Sequence, residues 1–305
     1  MNSITFDPST GRHSFTGPNG KPYSSINKSH IESTFARFYG QDAEKKDYVE
    51  AASNEVVEDV ISDEEIGENI KTKFAVLDLM TQAAIDGNNR SMIVSGNAGL
   101  GKSYSIVQAF KKSDSRHKII KGFITPRQLF ETLWNYKKEG DVLIFDDCDS
   151  IFENETSLNL LKAATDTSEE RTIDWMTSKD AFSADGSEIP SGFVFEGAII
   201  FITNKDFNKE IEKGTKLSVH FEALRSRSHY LGLGMYTNRE KIVRIKQIVQ
   251  ASDEDELVKE EIINFIVDNQ NKMTELSLRV VNKITDLITI NPFGWKNLAK
   301  VTLMK

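Results

Sequence analysis

The sequence predicts an α/β fold, a parallel five-stranded sheet flanked by helices, closed at its C-terminal side by an all-helical lid. Three observations carry that expectation. Gly96-Asn97-Ala98-Gly99-Leu100-Gly101-Lys102-Ser103 fits G-x-x-x-x-G-K-[ST] and lies between a short apolar run, Met92-Ile93-Val94, and a stretch with Ile106, Val107 and Phe110 at helical spacing. Two further apolar runs, 142–145 and 198–202, end in polar residues, as buried parallel strands do at a ligand-binding edge. From Asn238 onward the apolar period is that of helices alone.

Composition sets the outer bounds. The 305 residues suffice for one large or two modest domains, and 39% hydrophobic with 28% charged residues is ordinary for a globular chain. A net charge of −8 argues against non-specific nucleic-acid binding by the bulk surface, while leaving room for a local basic patch. Cys148 is the sole cysteine, so an intramolecular disulfide framework is excluded and a reducing compartment suits the chain. No apolar run reaches the 18 residues a membrane span requires, and residues 1–7 lack the basic and apolar regions of a signal peptide. The expected location is the cytoplasm.

In chain order, residues 1–30 hold Pro8, Pro18 and Pro22 among glycines and serines and read as an extended arm. Residues 41–68 carry eleven Asp or Glu against Lys45 and Lys46, a solvated linker or a docking segment. The expected organisation is an arm and acidic linker over 1–65, partly flexible, an α/β nucleotide-binding domain over 66–234 and the lid over 235–305. Phe74, Leu77, Met80 and Ala84 mark one face of a helix that 86–89 ends. After the glycine loop and its helix, 118–123 alternates as a strand, and Thr125-Pro126-Arg127-Gln128 is a capping-box helix start with Leu129, Phe130, Leu133 and Trp134 inward. A helix over 157–166 follows, then two short strands at 171–176 and 192–195 joined by a polar loop. Leu224-Arg225-Ser226-Arg227-Ser228 precedes 230–234, which completes the α/β part. Ile242, Ile245 and Val249, then Ile262, Phe265 and Ile266, then Val280, Ile284, Leu287 and Ile288, mark three lid helices, and 295–303 a short last one.

The glycine loop points to phosphate. Glycines let the chain turn so that successive N–H groups face one oxyanion, and the following helix adds its positive N-terminus. Lys102 would reach the β- and γ-phosphates, and the Ser103 hydroxyl with Asp146, the first acid after 142–145, would hold Mg²⁺. Asn204, after the 198–202 run, is placed to orient a water.

The order of these motifs resembles the AAA+ ATPase superfamily over about residues 66–305. The wording of Phe145-Asp146-Asp147-Cys148-Asp149 and Leu160-Leu161-Lys162-Ala163-Ala164 is also similar to small AAA+ proteins of tailed bacteriophages, which would put the chain in a host cytoplasm. The resemblance implies ATP and Mg²⁺ as cofactors, with Gly96, Asn97, Ala98, Gly99, Leu100, Gly101, Lys102, Ser103 and Tyr104 forming the nucleotide seat. It implies Asp147 as the water-activating carboxylate, Asn204 as sensor 1, Arg227 (or Arg225) as an arginine finger into a neighbouring subunit, and Arg279 as the sensor-2 arginine of the lid. The family usually has Asp-Glu where this chain has Asp146-Asp147. The base therefore sits about 1.5 Å further back, one C–C bond, and slow hydrolysis is compatible with that change.

The implied assembly is a homo-oligomer, a hexameric ring. Its substrate is left open among three classes. A protein remodeller fits Lys121-Gly122-Phe123-Ile124, which sits where family members place an aromatic pore loop, although Phe123 in the core is an equal reading. A DNA-replication ATPase, helicase loader or clamp-loader-like, fits the extra hairpin and a basic cluster of Lys111, Lys112, Arg116, Lys118 and Lys121, although that cluster reads more readily as a solvated surface. A nucleotide-dependent scaffold with little turnover fits Asp147.

Overall fold

The computed structural model describes residues 4–7, 12–16, 21–25, 31, 35, 61–176, 181–182 and 186–305. The chain divides into two compact units, Met1–Val60 and Ile61–Lys305. Most of the acidic stretch, 41–60, lies outside the described residues.

In the first unit the structure departs from the expected extended arm. Strands β1 (Thr5–Asp7), β2 (Arg12–Thr16) and β3 (Pro22–Ser25) pair antiparallel in the order β1-β2-β3. Their prolines and glycines punctuate a meander, and Pro22 opens the edge strand β3, where a missing N–H is harmless. Phe15 is buried and stacks on Tyr23 at 5.2 Å.

The second unit begins with helix α1 (Asp63–Ile85), well before Phe74, where its apolar period becomes visible. The early start follows from its cap. Ser62 Oγ accepts from Glu65 N at 3.1 Å, and Asp63, Glu64 and Glu65 occupy the first turn, where the helix dipole favours acids. That turn is exposed, so it carries no apolar signal.

There follow β4 (Ser91–Ser95), α2 (Lys102–Lys111), β5 (His117–Lys121), α3 (Pro126–Asn135) and β6 (Val142–Asp146). A 3-10 turn at Asp149–Phe152 leads into α4 (Glu155–Ala164). Next come β7 (Thr172–Asp174), β8 (Ala181–Phe182), β9 (Glu188–Ile189), β10 (Gly192–Val194) and β11 (Ala198–Thr203). The α/β part closes with α5 (Phe207–Glu212), α6 (Ser218–Arg227) and β12 (His229–Gly232). The predicted capping box at Thr125 and Gln128 is present in full, and the expected extra hairpin exists as β7 paired antiparallel with β10.

The main sheet is five-stranded, in the order β12-β4-β11-β6-β5, and every pairing in it is parallel. Alternate residues of its strands bury into opposite layers. Leu143, Phe145, Ile199 and Phe201 join the core beneath α3, α4 and α6. Val142, Ile144, Ile200, Ile202, Met92 and Val94 join the core under α1 and α2. Both faces are therefore covered, which is why these strands read as continuous apolar runs. The parallel pairing brings all five C-terminal strand ends to one edge.

Helices α7 (Asn238–Gln250), α8 (Glu256–Asn269), α9 (Leu278–Ile290) and α10 (Trp295–Thr302) form the C-terminal helical part around a core of its own, centred on Ile262, Ile284 and Trp295. The chief aromatic anchor of the α/β layers is Phe152, which meets the rings of Phe201, Phe207 and Phe221 within 6 Å. We expect Phe152→Ala to lose about 3–5 kcal/mol of stability, the usual range for a deleted core aromatic, read as a lower urea midpoint at unchanged slope.

Candidate nucleotide site

The glycine loop leaves the buried strand β4 and ends where α2 begins. Its entry is fixed by Gly96 N donating to Thr203 O at 3.2 Å. A Cβ on Gly96 would stand 2.9 Å from the Leu233 carbonyl carbon, so the backbone of the segment after β12 lies directly against the loop. Asn97 extends that contact, its Oδ1 accepting from Met235 N at 2.9 Å. Gly99 has φ +73°, and a Cβ there would fall 2.8 Å from Ser277 Cβ. Beside it, Leu278 N donates to Gly99 O at 2.9 Å. The lid thus seats on the loop from two sides, and only glycine fits beneath Ser277.

Lys102 is buried. Its Nζ donates to Gly96 O, to Asn97 O at 2.9 Å and to Asn204 Oδ1 at 3.1 Å. Burial pulls its pKa down to about 8; the carboxylates of Asp147, Asp146 and Asp149 resist that shift, and Arg279 adds to it. Asn204 is a bridge, because its Nδ2 donates to Asp147 Oδ1 at 2.9 Å. Asp147 is the one described non-glycine residue with positive φ, 51°, just past the end of β6. Its N–H donates to Ile202 O at 3.0 Å, which holds the turn that takes its side chain out of the strand's alternation.

Asp146, the last residue of β6, is buried. Its Oδ1 accepts from Ser103 Oγ at 2.6 Å, and its Oδ2 lies 2.8 Å from Lys121 Nζ. A hydroxyl and a carboxylate oxygen this close form an oxygen donor pair beside the loop, the hard-ligand chemistry that Mg²⁺ takes when phosphate and water supply its other ligands. By that test the residues fit the cation.

One cleft is lined by Ala98, Gly99, Leu100, Gly101, Lys102, Ser103, Tyr104, Asp147, Asn204 and Arg279. Most of the predicted seat, two predicted catalytic polar residues and the predicted lid arginine share it. Arg225 and Arg227 stand elsewhere, at the end of α6. Arg225 Nη1 donates to Asn208 Oδ1, and Arg227 Nε lies 3.4 Å from Asp166 Oδ2. Phe123, for which core and surface readings were equal, is 73% exposed.

Two members of the site escape sequence reasoning. Ser277 caps α9, accepting from Arg279 N at 3.2 Å, and aims that arginine's helix at the loop. Lys121 is the direct register partner of Asp146 across β5 and β6. A strand of five residues ending in lysine carries the signal, but only the strand order gives it meaning.

Strand order, the glycine loop at the head of α2 and the helical part seated on it define a P-loop α/β fold with a C-terminal helical part. No family model matches the chain. It is 38% identical over 248 residues, 77% of this chain and 75% of the relative, to the uncharacterized 36.7 kDa protein in the nrdC-mobD intergenic region of Enterobacteria phage T4, and it belongs to the family of that phage protein. Among solved structures it is similar to two variants of Thermotoga maritima RuvB, each at 18% identity. The TM-scores are 0.41 and 0.44, over 73% and 77% of this chain and 63% and 69% of theirs. It is also similar to NtrX of Brucella abortus in complex with ADP, at 14% identity and TM-score 0.38, over 74% of this chain and 46% of that one. The chain thus spans less than two thirds of one RuvB chain and less than half of NtrX. Among the described residues no helix is long and apolar enough to cross a membrane.

The Lys102 shift has a pH signature. Its folded pKa lies near 8 against the ordinary 10.5. Between those values the unfolded chain holds a proton that the folded chain has shed, so this group's contribution to stability rises with pH across the window. Affinity for ATP in EDTA runs the other way, because phosphate needs the ammonium, and it falls as pH climbs above about 8. Lys102→Arg, charged throughout, should flatten both trends in urea melts and nucleotide titrations.

Proposed function

We propose that the chain binds ATP with Mg²⁺ and hydrolyses it, working in a homo-oligomeric ring to remodel a protein or protein–nucleic acid substrate. The observation that carries this reading is the convergence of Lys102, Asp147, Asn204 and Arg279 on one glycine-lined cleft. Lys102 and the loop N–H groups bind the phosphates. Ser103 and Asp146 hold the metal, which when bound supplies charge neutralisation on the phosphate oxygens. Asp147 accepts the proton of the attacking water, and the Asn204 amide keeps that carboxylate aimed. Arg279 brings a second positive charge from the lid.

Division of labour between the acids gives the first test. Asp147→Asn should retain ATP binding and lose turnover by about 10²–10⁴, the range for a general base, whereas Asp146→Asn should weaken the Mg²⁺-dependent part of binding. Turnover at the wild-type rate in Asp147→Asn would move the water-activating role elsewhere. Glu153, which pairs with Lys205 at 3.2 Å, and Glu155 are then the next residues to substitute.

The ring rests on the arginines. Neither Arg225 nor Arg227 lines the cleft of its own chain, and both end α6, beyond the sensor strand. A finger supplied by Arg227 to a neighbour makes hydrolysis depend on assembly, so specific activity should rise with protein concentration and then plateau. Arg227→Ala should bind ATP and turn it over about 10³-fold more slowly. Mixing it with Lys102→Ala chains should restore part of the activity, since an intact Lys102 site then faces an intact Arg227. No recovery, together with concentration-independent turnover, would reject finger and ring alike.

For the substrate, exposed Phe123 after a positive-φ Gly122 favours a polypeptide gripped by an aromatic loop. The β7–β10 hairpin favours a DNA-replication ATPase instead. Stimulation of turnover by unfolded protein supports the first, stimulation by single-stranded DNA the second. Intact ATP binding without turnover would mark a nucleotide-dependent scaffold.

A further inference from the structure

Lys121 occupies a position that the ATPase reading does not use. It ends β5, the edge strand of the sheet, and faces Asp146 in register across β6. Paired residues of neighbouring parallel strands point to the same face, so the 2.8 Å ion pair is set by the backbone. Asp146 is almost wholly buried, whereas the Lys121 side chain is 65% exposed. A buried carboxylate needs a counter-charge, and the Ser103 hydroxyl on its other oxygen brings none. Lys121 supplies it.

The same carboxylate is the metal-holding acid of the proposed site. A divalent cation held by Ser103 and Asp146 would share that carboxylate with the Lys121 ammonium, and the two like charges would repel. One negative charge does not satisfy both. The long lysine side chain leaves for water at little cost, and the two residues after it are lightly held, Phe123 lining a surface cavity with Ile120, Gln128 and Phe182. A Cβ on Gly122, φ +85°, would meet no atom within 4 Å, and Phe123 is exposed.

We propose that Lys121 is a built-in counter-cation of the Ser103–Asp146 pair. It neutralises Asp146 while magnesium is away, yields it when magnesium arrives with nucleotide, and in doing so frees the Gly122-Phe123 turn. This rests on the reading of the cleft as an ATP·Mg²⁺ site. Lys121 is a positioning residue in this scheme: it acts on the metal site through Asp146, and on Phe123 through the two-residue link.

The test uses the full chain, stripped with EDTA, and a fluorescent ATP analogue. The Mg²⁺ concentration giving half-maximal nucleotide binding should fall about five-fold in Lys121→Met and stay within about two-fold of wild type in Lys121→Arg. A solvatochromic dye on Phe123→Cys reports the turn, since buried Cys148, its thiol pKa raised by burial, is a poor competitor for the label. Its emission should shift on adding Mg²⁺ with ATP and not with ATP in EDTA. In the Lys121→Met background the shifted spectrum should be present before Mg²⁺ is added. An unchanged Mg²⁺ midpoint in Lys121→Met that still binds nucleotide, or a dye shift produced by ATP in EDTA, would overturn the proposal alone. Failure of wild type to bind nucleotide, or equal binding by Lys102→Ala, would instead overturn the site reading and this inference with it.

Discussion

The structure around the loop depends on one buried positive charge. Lys102 is almost wholly covered, and a buried ammonium survives only with partners on every side. Two loop carbonyls, the Asn204 amide oxygen and three nearby aspartates provide them. Each partner has its own anchor. Asn204 is held by Asp147, Asp147 by the backbone of β11, and Asp149 by the Thr203 hydroxyl at 2.6 Å. The polar residues at the strand ends are therefore one network, and its pieces come from chain positions about a hundred residues apart. The parallel sheet makes this meeting possible, because it turns three separate strand C-termini into neighbours.

Much of this was legible because some signals are local. The glycine loop, the Thr125–Gln128 capping box and the apolar runs of β4, β6 and β11 each state their structure within a few residues. Signals that need the sheet order were not legible. Lys121 reads in sequence as one basic residue among five, and becomes a partner of Asp146 only once β5 is known to lie beside β6. Arg116 from the same cluster is likewise taken up, 2.8 Å from the buried Asp141. The N-terminal arm misled for another reason. Its strands are three to five residues long and mostly exposed, so alternation had too few positions to emerge above the prolines and glycines. Nor could strand alternation decide between core and solvent for Phe123, since β5 ends at Lys121, two residues short of it, and Gly122 breaks the alternation between them.

The lid is joined to the loop by backbone and by shape. Leu278 N on Gly99 O, Met235 N on Asn97 and the close approach of Ser277 to Gly99 are short, partly dry contacts, and Arg279 follows within two residues. A loop that moves to admit phosphate must carry these contacts along or break them. Helix α7 reinforces the join from behind. Gln247 donates to Gly67 O at 2.8 Å, and Arg244 lies over the Phe74 ring at 3.6 Å, tying the lid to α1 as well. The helical part is thus tied at several points both to the loop and to α1.

On the side of the edge strand β5 the join is softer. Lys121 meets Asp146 through one ion pair whose cationic side is open to water, and such pairs are readily exchanged. Beyond it the chain runs into a glycine without neighbours and an exposed aromatic ring. The loop thus has several backbone and side-chain contacts to the lid, and Asp146 beside it a single solvent-exposed ion pair to the edge strand. A rearrangement confined to the edge strand leaves both core layers of the sheet intact, since Lys121 and Phe123 belong to neither. Under the proposed exchange at Asp146, that separation lets Phe123 respond without unpacking the fold that builds the cleft.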